Sequence, residues 1–250
     1  MTKIAFITGA TSGIGLATAR DLAKNNYNLI VCGRRSERLN ALKDELKGQA
    51  EVYPLTFDVR DREAVEEAIA GLPAKWQEID VLVNNAGNAH GLDPIQEGSI
   101  DDWEAMIDIN VKGLLYVSRA IIPGMVERRK GHIVNIGSLA GKEVYPRGNV
   151  YSATKHAVDA LNKGMRIDLN GHGIKVTAIN PGLVETEFSE VRFKGDKDRA
   201  GQVYQGYKAL EAEDIAEIIT FTVTRPPHVV MSDVLILPLA QASSTLVNKE

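Results

Sequence analysis

The chain has one cysteine, Cys32, in 250 residues. No internal disulfide can form, which fits a reducing compartment. No apolar run approaches the roughly 20 residues that span a bilayer. The first apolar run, Ile4 to Ile7, breaks at Thr8-Gly9, too early for a secretory signal. Positive charge is not in excess: 29 Lys and Arg against 33 Asp and Glu give −4, and the pI is near 5.8. A basic field for nucleic acid is therefore missing. Five histidines show no metal-ligand spacing, so no metal site is expected. Repeats, low-complexity tracts and Pro/Ser-rich linkers are also absent. What is there is ordinary for a globular chain, with 44% hydrophobic and 25% charged residues. The expectation is one cytoplasmic domain covering 1–250, without membrane or nucleic-acid partners.

Apolar runs alternate with helical patterns. Strands are predicted at 4–7, 28–32, 51–57, 80–83, 132–136, 174–179 and 234–237. Helices are predicted at 14–24, 36–46, 61–70, in a long element capped by Ser99, and from Tyr151 to Leu169. Continuous apolar strands, each followed by a helix, mean a parallel sheet covered on both faces. The fold class is therefore α/β, a doubly wound parallel sheet. The stretch after the sixth strand, about 183–210, reads as an irregular flap over the carboxyl edge, where such folds bind ligands.

Gly9-Ala10-Thr11-Ser12-Gly13-Ile14-Gly15 lies between the first strand and first helix. Glycines there permit a tight turn and close approach of backbone to a pyrophosphate, and the helix start offers N–H groups to phosphates. The second strand ends in Gly33-Arg34-Arg35. An NAD site places an acid there, whereas a guanidinium fork pairs with a 2′-phosphate. With the glycine loop upstream, Arg34 and Arg35 favour NADP over NAD, against the alternative of a solvated basic turn. Asp58 and Val59 end the third strand, where an adenine edge would lie. Asn84-Asn85-Ala86-Gly87 ends the fourth, either as a plain turn or as a flat path beneath ribose and nicotinamide.

Tyr151 and Lys155 are four apart on a predicted helix and share a face. An ammonium close by lowers a phenol's pKa toward the range of a general base. Ser138, just past the fifth strand, can hydrogen-bond a substrate oxygen beside Tyr151. Asn110 is either a satisfied helix residue or a supporting residue of the site. Pro181 and Gly182 can bring backbone groups to a carboxamide. Tyr204 and Tyr207 either line the pocket or pack the flap.

Together these residues resemble the short-chain dehydrogenase/reductase family over nearly the whole chain. The resemblance rests on Thr8 to Gly15, Asn84 to Gly87, Asn110, Ser138, Tyr151 to Lys155 and Asn180-Pro181-Gly182. It implies a Rossmann-type domain with seven parallel strands. Tyr151 is then the acid/base and Ser138 the substrate anchor. Lys155 binds ribose hydroxyls and lowers the tyrosine pKa, while Asn110 holds a relay water. Cofactor contacts extend to Val184 and Thr186, and dimers or homotetramers are implied. Segments 33–39, 80–87, 123–128 and 187–196 are similar to the NADP-dependent 3-hydroxy acid dehydrogenases, which act on serine and related acids. Sulfoacetaldehyde reductases are also similar. Both substrate sets are small anions, so Arg147, four before Tyr151, and Arg192 on the flap are candidate anion anchors. A broader aldehyde or ketone reductase, or a non-catalytic NADP-sensing regulator, are the competing readings.

Overall fold

The predicted apolar runs form strands in the computed structural model, which describes residues 2–250. They are β1 (Lys3–Thr8), β2 (Tyr27–Gly33), β3 (Val52–Thr56), β4 (Val81–Asn84), β5 (Gly131–Ile136), β6 (Ile174–Pro181) and β7 (Asp233–Ile236). Their order is β3-β2-β1-β4-β5-β6-β7, and every pairing is parallel. Winding reverses between β1 and β4, and that reversal opens a crevice at the carboxyl edge.

Alternate residues of each strand feed two cores. Ala5, Ile7, Leu29 and Ile179 pack on one face with Ile215 and Ile219, while Phe6, Leu82, Ile133 and Val176 pack on the other with Val117 and Met125. Burial on both faces explains why the strands read as continuous rather than alternating apolar runs.

The helices are α1 (Gly13–Lys24), α2 (Ser36–Glu45), α3 (Arg62–Ala70), α4 (Ile100–Ile107), α5 (Leu114–Arg128), α6 (Asn149–Leu169), α7 (Phe188–Arg192), α8 (Lys197–Gln202) and α9 (Ala212–Val223). Ser99 caps α4 by accepting from the Asp102 N–H at 3.4 Å.

Three differences from the sequence reading stand out. The long element after Ser99 is two helices joined by a π-helical turn at Asp108–Gly113. The flap at 183–210 is not irregular, because α7 and α8 lie within it. The sequence reading also passed over α9, although its signals are present: Glu211 and Asp214 form a reciprocal capping box, and Ile215, Ile219 and Val223 share one buried face.

Candidate active site

The Thr8 hydroxyl at the end of β1 accepts from the N–H groups of Asn85 and Ala86, both at 2.9 Å. The Asn85 amide donates back to the carbonyls of Thr8 at 2.8 Å and Gly9 at 3.2 Å. The Asn84–Gly87 stretch is thus no plain turn; Asn85 clamps the glycine loop in shape. Gly9 has φ +67°, and a Cβ on Gly15 would run into the Gly9 carbonyl and the Asn85 amide. Ser12 precedes α1 without capping it, and its hydroxyl instead accepts from Arg35 Nη2 at 2.9 Å. The first turn of α1 is left without a side-chain cap at Gly13 and Ile14, which line the cavity.

Arg35 folds onto this loop. Its Nε and Nη2 donate to Thr11 Oγ1 at 3.1 and 2.7 Å, and its Nη1 donates to Glu187 at 3.0 Å. Arg34 remains open, with its side chain 63% exposed and 3.9 Å from Asp58. Burial alone would raise the Asp58 carboxyl, but Arg60 grips both its oxygens and holds it below the usual carboxylate range. A cavity of about 540 Å³ runs from here, past Val59 and Ala86, to the catalytic end. Its size, its uncapped helix start and its exposed guanidinium suit a phosphorylated dinucleotide.

At the other end Ser138, Tyr151 and Lys155 line the same cavity. The Lys155 ammonium donates to the Ile136 carbonyl at 2.9 Å, and the residue is only 7% exposed. Burial pulls its pKa down from 10.5 to about 8. Tyr151 is half-buried, and its ring meets that of Phe188 edge-on at 5.7 Å. The lowered phenol expected from the Tyr–Lys spacing is not a property of the protein alone. Burial pushes Tyr151 upward, and neighbouring Tyr145 adds to this. The Ser138 hydroxyl and the Arg192 charge oppose the rise without cancelling it. Lys155 Nζ lies 6.0 Å from the Tyr151 ring centre and is turned to a carbonyl, so its pull is weak.

Asn110 sits in the π turn, a deviation that often marks functional positions. Its Oδ1 accepts from the Asn88 N–H at 2.9 Å, and its Nδ2 donates to the Asn88 carbonyl at 2.8 Å and to Thr154 Oγ1 at 3.0 Å. These contacts brace the loop after β4 against α6, next to Lys155.

Of the two candidate anion anchors, one lines the large cavity. Arg192 lines the catalytic cavity, with its guanidinium 5.5 Å from the Tyr145 ring centre and 5.7 Å from that of Tyr151. It is pinned by bonds from Nε to the Gly91 carbonyl at 3.1 Å and from Nη2 to Tyr145 Oη at 2.8 Å. Arg147 does not line that cavity. It has φ +63° in the turn before α6 and lines a small cleft with Asp93, Trp103 and Asn149, which Tyr151 and Arg192 also border. Arg147 precedes α6, which begins at Asn149.

The segment 183–210 packs against the loop after β4 and the start of α4. Lys194 pairs with Asp102 at 3.0 Å, and the Gly91 N–H donates to the Arg192 carbonyl at 3.0 Å. Val184 and Thr186 line the cavity below it, as do Pro181 and Gly182. Tyr204 both lines the cavity and bonds the Val184 carbonyl at 2.9 Å, whereas Tyr207 bonds the Val203 carbonyl at 3.0 Å and packs the flap. The sequence reading missed Tyr145, Phe188 and Glu187, and also a buried chain from Ser118 through Asn84 and Asn135 to Asn162 that ties β4 and β5 to α6. Asparagines in otherwise apolar strands were the available signal for that chain.

A parallel sheet with a dinucleotide crevice, and a Ser–Tyr–Lys set at its carboxyl edge, defines a class of nucleotide-dependent oxidoreductases. The short chain dehydrogenase family model matches residues 3–197, and the chain belongs to that family. It is 52% identical over 244 residues to the NADP-dependent 3-hydroxy acid dehydrogenase YdfG of Salmonella typhi, covering 97% of this chain and 98% of that one. It is 43% identical to sulfoacetaldehyde reductase 2 of Chromohalobacter salexigens, covering 98% and 97%. Among solved structures, the closed form of serine dehydrogenase complexed with NADP+ superimposes with a TM-score of 0.94 at 48% identity, covering 97% of this chain and 98% of that one.

Proposed function

We propose that this chain is an NADP(H)-dependent oxidoreductase that interconverts a small anionic hydroxy acid and its carbonyl form. A 3-hydroxy acid such as serine or 3-hydroxypropanoate is the substrate class. The observation that carries this reading is the meeting of Ser138, Tyr151, Lys155 and the Arg192 guanidinium in one cavity. The names of the relatives support the cofactor and the substrate class.

The dinucleotide rests on the Gly9–Gly15 loop and the start of α1. Arg34, with Arg35 behind it, takes the 2′-phosphate, and Asp58 and Val59 border the adenine. Bound NADPH supplies hydride to the substrate's carbonyl carbon, and NADP+ accepts it in reverse. The Ser138 hydroxyl donates to the substrate oxygen and holds it toward Tyr151. Tyr151 Oη gives that oxygen its proton in reduction and removes it in oxidation. Lys155, with a pKa of about 8, is still mostly charged at pH 7, and a polar or anionic group arriving beside it draws the ammonium from the Ile136 carbonyl toward Tyr151. That charge then lowers the phenol that burial had raised. Arg192 uses two of its five N–H groups on the protein among the described residues, and the other three are available to a carboxylate.

A sulfonate meets the same guanidinium, so sulfoacetaldehyde is the second reading, supported by the 43% identical relative. The purified protein is assayed with NADPH and malonic semialdehyde, sulfoacetaldehyde or a neutral aldehyde, and with NADP+ and L-serine. Turnover of the 3-carbon acids above the others is expected. Preference for sulfoacetaldehyde or for neutral aldehydes selects those readings. No turnover with tight NADP binding selects a sensor, and faster reaction with NADH removes the role given to the arginines.

The assembly is a dimer or tetramer, supported by exposed Ile167 on α6, Phe221 on α9 and Leu235 on β7. A monomer mass by light scattering would refute it. Among the described residues no helix is long and apolar enough to cross a membrane. A cytoplasmic location agrees with the lone buried Cys32, whose thiol is pushed up to about 12 by burial; a signal confined to another compartment in fractionated cells would contradict it.

A further inference from the structure

Glu187 stands at the root of the flap, one residue before α7. One carboxylate oxygen accepts from Arg35 Nη1 at 3.0 Å and the other from Arg38 Nη1 at 2.7 Å. Burial tends to raise this carboxyl, but the two arginines hold it below the usual range. Arg35 uses four of its five N–H groups among the described residues: one on Glu187, two on Thr11 and one on Ser12. It therefore joins the glycine loop, the end of β2 and the flap.

We propose that Glu187 is an internal counter-anion with which the ribose 2′-phosphate competes for Arg35, so that the flap's root tunes affinity for the phosphorylated cofactor. The inference rests on the phosphate-binding role given above to Arg34 and Arg35. A 2′-phosphate seeks several guanidinium N–H groups at once. Arg34 is open, but Arg35 has one N–H left. Full engagement of Arg35 requires Glu187 to yield its bond. If the carboxylate stays, it stands beside a second anion. Either way its charge opposes binding. A cofactor without the phosphate meets no such competition. Asp58, the other carboxylate beside Arg34, is held by Arg60 and is common to every comparison below.

The side chains of Arg35, Arg38 and Glu187 are 38%, 43% and 42% exposed, so solvent screens the effect. Pairs this exposed couple by about 1.4- to 5-fold in an equilibrium constant. Glu187→Gln keeps the shape and an acceptor while removing the charge.

The experiment titrates the full chain at low ionic strength with adenosine 2′,5′-bisphosphate and with 5′-AMP by calorimetry, which reads binding without turnover. Glu187→Gln is expected to bind the bisphosphate about 1.4- to 5-fold tighter and 5′-AMP as the wild type does. Unaltered 5′-AMP binding also shows that the variant is folded. The gain is expected to vanish when Arg35→Gln is already present. Unchanged or weaker bisphosphate binding by Glu187→Gln, or a gain that survives in the Arg35→Gln background, overturns the proposal. Bisphosphate binding that Arg35→Gln leaves undiminished overturns instead the reading beneath it.

Discussion

Replacing Arg192 by Met separates two jobs that the guanidinium performs. It holds the flap, through the Gly91 carbonyl and Tyr145 Oη, and it offers its remaining N–H groups to the cavity. Methionine keeps the unbranched apolar stem, out to about the position of the arginine Nε, and removes the guanidinium that lies over the Tyr145 and Tyr151 rings. The lost bonds to the flap burden every substrate equally. The lost bond to a substrate anion burdens only charged substrates. Hydrogen bonds to charged groups are worth about 1.5–3 kcal/mol. At about 1.4 kcal/mol per decade, that is roughly a 10- to 150-fold fall in kcat/KM for a 3-oxo acid. A neutral aldehyde of similar length isolates the flap contribution and is expected to lose less than the acid, because it never had the anion contact. The assay follows reduced-cofactor absorbance with both substrates across concentration. Arg192→Lys restores part of the loss, because a point charge remains but the fork does not. Equal losses for both substrates would reduce Arg192 to a flap fastener, and no loss for the acid would remove the anchor altogether.

Two further outcomes follow from the same geometry. Gly15→Ala puts a methyl against the Gly9 carbonyl and the Asn85 amide, and displacing such packed groups costs about 1–3 kcal/mol. Titration of NADP(H) is expected to show binding weakened roughly 5- to 150-fold; wild-type affinity would mean that the loop's close approach is irrelevant to the cofactor. Lys155 supplies a pH signature in the cofactor-free protein. Its folded pKa of about 8 lies below the unfolded 10.5, so the unfolded chain holds more protons between those values. Burying the ammonium penalises the fold fully below pH 8, and the penalty fades as pH rises to 10.5. Wild type should therefore gain about 3 kcal/mol on Lys155→Met across that window in urea unfolding, from about 1.36 kcal/mol per pKa unit. Parallel stability profiles would show that the lysine is already neutral-indifferent in the fold.

The sheet was legible because burial on both faces writes itself as unbroken apolar runs, and all seven strands fall within a few residues of the runs that predicted them. The glycine loop and the Tyr–Lys pair were legible because their spacing is local. What failed was relational. Arg147 is close to Tyr151 in the chain, but that closeness does not show that it stays out of the large cavity which Arg192 lines. Asn85 carried no local sign that its partners are Thr8 and Gly9, far away in the chain. Glu187 looked like any flap acid until the fold set it between two arginines from the β2–α2 corner. In the protein alone the phenol shifts upward, because spacing reveals a neighbour's charge but not the burial that outweighs it there. The α9 helix carries a capping box and an apolar stripe, both local signals that a sequence can show.

Tyr151→Phe removes the oxygen proposed to deliver the proton, while the ring still packs on Phe188. Single-turnover oxidation of bound NADPH by a 3-oxo acid is expected to slow by about 10²- to 10⁴-fold, with NADPH affinity close to that of the wild type. A phenylalanine variant that turns over within a few-fold of the wild type would place the proton elsewhere and contradict the mechanism.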